Sequence, residues 1–206
     1  VFRRKAHVYL QDGSVLEDDL RCLALMQHHG APTRLVDFTK SPFVAAFFAL
    51  WHLQGDAAVF ALNTPALWKA APRFDPSLHR DVIDLRKPGN YQRYFANNNH
   101  GLVWFGEPNQ MDARLVAQSG ILVVPGMLDV PLETLLAGYD SDEPLLRKFI
   151  LPAQVREEAL RALYRMNITA ATLFPGLDGL ARSIGYELEM VWEQLIVDYR
   201  QRLSTD

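Results

Sequence analysis

The sequence has little cysteine, and its one thiol, Cys22, stands alone among 206 residues. A single cysteine excludes an internal disulfide and leaves no cysteine pair for a zinc site, which fits a reducing compartment. The longest apolar run falls far short of the roughly 20 residues that a membrane span requires, and no charged-then-apolar leader opens the chain. We therefore expect a cytoplasmic protein without membrane partners.

A strong excess of charge of either sign is also missing. The formal net charge is -3 and the pI is about 6.1, so any contact with nucleic acid would have to be local. Hydrophobic residues make up 49% of the chain, enough to bury a sizeable core. The length is typical of one domain, and no repeat or low-complexity linker divides it, so we predict a single domain over residues 1–206. Because the chain opens on Val1 rather than Met, we also expect native sequence upstream.

The residues that bear chemistry concentrate in one stretch, Leu23 to Leu50, which reads LALMQHHGAPTRLVDFTKSPFVAAFFAL. A helix from about Val15 to His28 is predicted to end at Gly30, and Pro32 prevents its continuation. A short strand is predicted over Arg34 to Phe38. The stretch therefore passes from a helix through a polar turn into a strand.

Ser41 and Pro42 mark the start of the next helix. A serine cap accepts amide hydrogen bonds, and a proline at the first helical position lacks only a donor that would be orphaned anyway. The helix is predicted to run to about Leu53 and is apolar nearly all round, so it must be central. The strand end delivers Thr39, Lys40 and Ser41 to this helix N-terminus, which favours a pocket for phosphate or another polar group of a nucleotide. The same residues would also appear in an ordinary capped connection.

The turn before the strand carries the polar side chains of Gln27, His28, His29 and Thr33. Adjacent helical positions diverge by about 100°, so His28 and His29 cannot jointly hold a metal from a regular helix, and we predict no metal site. In one interpretation, one histidine caps carbonyl groups at the helix end and the other is packed. In the other, Gln27 and one histidine face a cleft.

Asp37 is predicted to sit among apolar neighbours, because strand alternation places it beside Leu35 and between Val36 and Phe38. A carboxylate in such a place must be paired, and Arg34 or one of the histidines is the expected partner. An internal salt bridge that fixes the turn and a role in binding or catalysis are both consistent with this pattern.

The remaining elements follow from apolar periodicity and turn residues. Strands are predicted at 57–62, 82–85, 102–105, 120–125 and 147–151. Helices are predicted at 2–10, 91–99, 109–118, 131–137, 152–165 and 177–203. The closing helix carries apolar residues along one side and is predicted to pack against the rest of the chain. Together these elements predict an α+β fold with a central mixed or antiparallel sheet flanked by helices.

The stretch Leu23 to Leu50 closely resembles the core of the FRG domain family, an aromatic-rich pattern that reads LAlxQHxGxPTRLLDwTxSPxxAxxFA. The matching positions run without a gap and are Gln27, His28, Gly30, Pro32, Thr33, Arg34, Leu35, Asp37, Thr39, Ser41, Pro42, Ala45, Phe48 and Ala49. Two later segments, Arg114 to Gly120 and Leu173 to Leu180, also resemble family segments. The Phe-Arg-Gly motif that names the family is absent, so we predict one FRG-like domain truncated at its N-terminus.

The resemblance implies an ADP-ribosyltransferase-like arrangement that uses NAD, in a prokaryotic toxin or phage-defence setting. In that arrangement Thr39 and Ser41 would support the nicotinamide ribose region, and Gln118 would orient a protein or nucleic-acid acceptor. The chemistry needs stabilisation of an oxocarbenium-like transition state rather than a strong nucleophile. An upstream arginine that grips the dinucleotide would lie in the missing segment.

A second hypothesis is a sensor module without turnover. In it, the polar turn forms a rigid pocket that recognises a nucleotide, an RNA end or a protein. In both hypotheses, the residues predicted to bind the nucleotide or small-molecule ligand are Gln27, His28, His29, Thr33, Arg34 and Asp37. A nuclease is a weaker alternative, since no spaced carboxylate set for two metals is visible.

Overall fold

Short helices alternate with short strands along the chain. The structure, a computed structural model, describes residues 1–52 and 55–204, except for the side chains of residues 189–191, 193 and 194. The α-helices are α1 (Phe2–Ala6), α2 (Asp19–His28), α3 (Pro42–Trp51), α4 (Thr64–Lys69), α5 (Ala113–Ala117), α6 (Leu132–Ala137), α7 (Arg156–Arg165), α8 (Ala170–Leu173), α9 (Leu177–Tyr186) and α10 (Glu193–Leu203). Single turns of 3-10 helix lie at His7–Tyr9, Gly13–Leu16 and Ala153–Val155, and π-helices at Tyr91–Phe95 and Glu187–Trp192.

The strands are β1 (Val36–Thr39), β2 (Ala57–Leu62), β3 (Ala71–Pro72), β4 (Val103–Gly106), β5 (Gly120–Pro125), β6 (Tyr139–Asp140) and β7 (Leu146–Leu151). They form three small sheets in the part of the chain that the structure describes, with the orders β1-β5-β4, β2-β7 and β3-β6. The pairs β3-β6 and β4-β5 are antiparallel. The predicted α+β class is confirmed, with the strands divided among small sheets that helices flank.

Strand β4 lies at the edge of its sheet. Leu102, just before it, accepts a hydrogen bond from Gly126 N at 2.7 Å. Because hydrogen-bonded and non-bonded residues alternate along an antiparallel ladder, the backbone groups of Val103 and Phe105 then face away from β5. Their amide and carbonyl groups need partners that β5 cannot supply.

Two side chains supply partners at this edge. Val103 N donates to the Tyr139 hydroxyl at 2.7 Å, and Arg80 Nη2 donates to Phe105 O at 2.9 Å. Arg80 is 5% exposed, and its guanidinium carbon lies 3.8 Å from the centroid of the Trp68 ring. Burial lowers the pKa of this guanidinium. A buried cation and a buried phenol thus occupy part of the place that a further strand would take.

The chain folds into two compact units, and each takes three segments of sequence. Unit 1 comprises 1–38, 60–111 and 121–147, and unit 2 comprises 39–59, 112–120 and 148–206. The predicted single domain over residues 1–206 stays a prediction.

Each unit has its own apolar core. The core of unit 1 gathers around β4 and β5 and includes Val103, Phe105 and Val123. The core of unit 2 gathers around α3 and α7. Its buried members are Val44, Phe47, Leu50, Ala57, Leu160, Leu163, Ala170 and Leu173. The expectation that α3 is central is thus met within unit 2, where three of its side chains are buried.

Local signals placed several boundaries correctly. Ser41 caps α3 by accepting from Val44 N, with Pro42 as the first helical residue. Gly30, with φ +78, stands at the end of α2 as predicted. Strand β5 covers the predicted residues. The predicted limit of α3 at Leu53 lies outside the described residues.

One local prediction was wrong. Residues 82–85 form turns rather than a strand, although Ile83 and Leu85 are buried. The alternation that suggested a strand therefore reflects burial within a looped segment. The backbone of Ser119, just before β5, is left-handed, with φ 48. A Cβ at the next residue, Gly120, would lie 2.3 Å from Leu115 Cδ1, so this position favours glycine.

The closing helix has the predicted extent, through α9, a π-helical turn and α10, but not the predicted packing. Its apolar stripe is exposed at Leu180, Ile184, Leu188, Trp192, Leu195 and Tyr199, while the side chain of Val191 lies outside those described. Among the described residues, none of the helices has the length and apolar character needed to cross a membrane.

Candidate functional site

The predicted ligand-binding turn lies in unit 1, at the end of α2. Gln27 Oε1 accepts a short hydrogen bond from Thr33 Oγ1, and the same Thr33 oxygen accepts from Leu35 N at 3.1 Å. Gly30 N donates to Gln27 O at 2.9 Å as the chain reverses. Gln27 and Thr33 therefore come together, and their contact ties the end of α2 to the entry of β1.

His28 and His29 are both exposed. Their ring centroids are 4.9 Å apart, with the planes inclined at 70°. His29 is the C-terminal cap residue of α2. No group of three or more potential metal ligands occurs among the described residues, and a pair of edge-on rings presents two polar surfaces to solvent rather than a joint ligand set.

Arg34 and Asp37 do not form the expected ion pair. Arg34 is buried and donates from Nη1 to Pro125 O at 3.2 Å, and its guanidinium carbon lies 5.7 Å from the centroid of the Tyr91 ring. Asp37 is exposed and has no salt bridge within the described ranges. The structure therefore corrects the predicted environment of Asp37, because the short strand turns that carboxylate toward solvent, where it needs no partner.

The predicted catalytic residues lie in unit 2 and come together from distant parts of the chain. Thr39 Oγ1 donates to Gln118 O at 2.7 Å and accepts from Ser41 N at 3.0 Å. Lys40 N donates to Ser119 O at 3.0 Å. The end of β1 and the junction between α5 and β5 are thereby joined at Thr39.

The side chains of Ser41 and Gln118 are partly exposed, and each makes one contact with the backbone. Ser41 Oγ accepts from Val44 N at 3.3 Å, and Gln118 Nε2 donates to Leu173 O at 3.0 Å. The amide oxygen of Gln118 has no hydrogen-bond partner among the residues described, so it is available to accept a bond from a ligand.

Sequence reasoning did not assign the aromatic and basic residues beside Gln118. The ring of Phe174, the residue after Leu173, lies 5.7 Å from the ring of Phe48 between centroids. The guanidinium carbons of Arg114 and Arg182 lie 4.8 Å and 5.3 Å from its centroid. The sequence could have predicted that Arg114 lies near the site, since it stands one helical turn before Gln118. It could not have predicted this for Arg182, because only the packing of α9 brings that residue to the ring.

A cavity of about 270 Å³ lies in unit 1. Arg73, Glu133, Ser141 and Glu143 provide its polar lining. None of the nine predicted site residues lines it, so it lends no support to the predicted site.

Comparison with known proteins identifies one family. Residues 1–56 match the family model of the FRG domain, which confirms the family that the sequence resembles over Leu23 to Leu50. No curated protein and no solved structure matches the chain. The matched segment includes α1, α2, β1 and α3 and ends before β2. The match to the FRG domain model thus covers about a quarter of the chain.

Proposed function

We propose that the chain is an ADP-ribosyltransferase-like effector that uses NAD, of the toxin or phage-defence kind, and that its reaction site lies in unit 2 around Thr39, Ser41 and Gln118. The observation that carries the proposal is the hydrogen bond from Thr39 Oγ1 to Gln118 O, which joins residues 79 positions apart. The three residues predicted to act together are thus parts of one local structure.

The side chains around this contact offer groups suited to such chemistry. Cleavage at the nicotinamide ribose breaks a carbon–nitrogen bond, and positive charge develops on the sugar. The free amide oxygen of Gln118 can face that charge or accept a hydrogen bond from the hydroxyl of an acceptor. The Ser41 hydroxyl retains a proton to donate, since its oxygen serves the helix cap only as an acceptor. NAD would supply the ADP-ribosyl group and the leaving nicotinamide.

A binding module without turnover is the second candidate, and one observation favours it. Thr39, Ser41 and Gln118 each already bond a backbone group in unit 2. These hydrogen bonds hold the three side chains in fixed positions. Fixed side chains suit recognition of a nucleotide, RNA end or protein as well as catalysis. The two candidates differ in whether the ligand is changed.

Release of nicotinamide from NAD by the chain tests the first candidate. The variants are Gln118→Met, which removes the amide, and Thr39→Ser, which keeps the hydroxyl. Gln154→Met, at an exposed position of unit 2, is the matched control. We expect release by the wild type, a fall of at least tenfold in Gln118→Met, and near-normal rates in Thr39→Ser and the control.

Thermal unfolding of each variant separates a lost reaction from a lost fold. Absence of release by the folded wild type would overturn the transferase proposal. In that case, a rise in Tm with added NAD would support the binding module, because a ligand that binds only the folded state stabilises it.

A further inference from the structure

The Phe174 ring has two cationic neighbours. The guanidinium carbons of Arg114 and Arg182 lie 4.8 Å and 5.3 Å from its centroid, so they are at most about 10 Å apart, the sum of those distances. Neither arginine forms an ion pair with a residue that the structure describes. Two cations therefore share one aromatic ring, and neither is held in an ion pair with a described residue.

Helix packing fixes this arrangement. Gly179, on α9 and one turn before Arg182, is buried against α8. A Cβ at Gly179 would lie 1.9 Å from Phe174 O and 2.8 Å from Ala170 O. Only glycine allows this approach, and the approach brings Arg182 to the ring. The position of the second cation is thus a consequence of close backbone contact rather than of a freely moving side chain.

The pair also lies beside the proposed reaction site. Gln118 N donates to Arg114 O at 3.0 Å within the last turn of α5. The side-chain amide of Gln118 donates to Leu173 O, next to Phe174 in sequence. The backbone of Gln118 is therefore bonded to Arg114, and its side chain is bonded to the residue before Phe174.

We propose that Arg114 and Arg182 bind the diphosphate of a nucleoside diphosphate, the ADP half of NAD, with Phe174 as the apolar ring that both of them contact. This inference rests on the proposed function and adds to it the residues that hold the ligand. Two guanidinium groups on one ring can serve two neighbouring phosphates, since each can donate a pair of hydrogen bonds to one phosphate. Long nucleic acid is disfavoured by the net charge of -3.

Calorimetric titration of the chain with ADP, and with adenosine as the ligand without phosphate, tests this inference. The variants are Arg114→Gln and Arg182→Gln. Arg165→Gln, an exposed arginine of α7 in the same unit, is the matched control. We expect each of the first two variants to weaken ADP binding at least tenfold and to leave any adenosine binding unchanged, while the control binds ADP as the wild type does.

The salt dependence gives a second readout. Each phosphate contact that is lost should reduce the slope of log Kd against log salt, and Arg182→Lys, which keeps the charge, should retain most of that slope. Arg182 is exposed, so its variants are expected to fold. Wild-type affinity for ADP in both glutamine variants, or no ADP binding by the wild type, would overturn the inference.

Nicotinamide release, measured on the same proteins, separates the two proposals. Arginine-dependent ADP binding without release would overturn the transferase proposal and leave the diphosphate site standing. Release with an unchanged KM for NAD in both glutamine variants would overturn the diphosphate site and leave the transferase.

Discussion

The hydroxyl of Tyr139 both donates and accepts a hydrogen bond at one residue of the edge strand β4. Its hydroxyl accepts from Val103 N at 2.7 Å and donates to Val103 O at 3.3 Å, and the side chain is buried. One phenol therefore serves both backbone groups of a residue that faces away from β5. Phenylalanine would fill the same space but leave a buried amide without a partner.

We accordingly expect Tyr139→Phe to lower the free energy of unfolding by about 1–3 kcal/mol, the cost of an unpaired buried polar group. Denaturant unfolding at neutral pH measures the change. Tyr9→Phe is the matched control, because Tyr9 is 87% exposed, and its effect should stay within about 0.5 kcal/mol. Equal stability of the two variants would contradict the role of the hydroxyl.

The same residue predicts a loss of stability in alkali. Burial raises the pKa of Tyr139 to about 12 from 10.0, although the bond from Val103 opposes the shift. A raised pKa means that the folded state holds the proton more tightly, so its contribution is complete below pH 10 and is lost between pH 10 and 12. Two pH units correspond to about 3 kcal/mol.

Unfolding of the wild type and of Tyr139→Phe from pH 8 to 12 isolates this contribution, since the two proteins differ only in that hydroxyl. The stability difference between the two proteins should shrink or reverse as the pH passes 10. A constant difference across the range would show that Tyr139 does not titrate there.

At the scale of elements, the contact of α9 with α8 depends on one glycine. The space at Gly179 is closed by Phe174 O and Ala170 O, whereas a Cβ at Gly185 on the same helix would meet nothing within 4 Å. Added volume in a closed contact typically costs about 1–3 kcal/mol. The two glycines of α9 therefore make a matched pair.

We expect Gly179→Ala to lower Tm and to weaken ADP binding, because α9 must move and carry Arg182 from the ring. Gly185→Ala should stabilise the chain slightly, by up to about 1 kcal/mol, through the better helix propensity of alanine. Thermal unfolding and the ADP titration give the two readouts. A stable Gly179→Ala variant with normal ADP affinity would show that α9 tolerates the displacement.

The elements that the sequence predicted well are those whose signals are local. Ser41 and Pro42 determine a helix start within three residues, and the apolar run of β5 needs no distant partner to be recognised. The closing helix shows the limit of such signals. Its periodicity predicts a helix, but the burial of Ile184 or Leu195 depends on a partner surface that periodicity does not contain.

The candidate site was also predicted only in part from the sequence. The resemblance brought Thr39 and Gln118 into one hypothesis, and the structure places them in contact. The pairing of Arg34 with Asp37 failed because the partner of Arg34 is Pro125 O, 91 residues away. A contact of that range is decided by the order of strands in the sheet, which neither residue encodes by itself.

At the scale of the whole molecule, the segment that matches the FRG domain model, residues 1–56, does not coincide with a structural unit. Residues 1–38 belong to unit 1 and residues 39–56 to unit 2. In unit 2, α3 buries its apolar face in a core completed by Leu160, Leu163 and Leu173, and β1 depends on β5 for pairing. Strand β1 and helix α3 thus need residues that lie beyond the segment.

We therefore expect the peptide 1–56 to be largely unfolded, with the chain 1–206 as the control. Far-ultraviolet circular dichroism during heating measures the difference. The full chain should unfold cooperatively, and the peptide should show a weak helical signal that declines gradually. A cooperative transition in the peptide would show that the family segment folds without its later partners.

The covered edge of β4 also bears on how separate molecules behave toward one another. Backbone groups that face outward from an edge strand are a template on which another chain can add a strand. Tyr139 and Arg80 bond the amide of Val103 and the carbonyl of Phe105, so another chain would have to displace them before it could pair with β4. The two side chains that complete this strand thus also hinder intermolecular sheet extension at this edge.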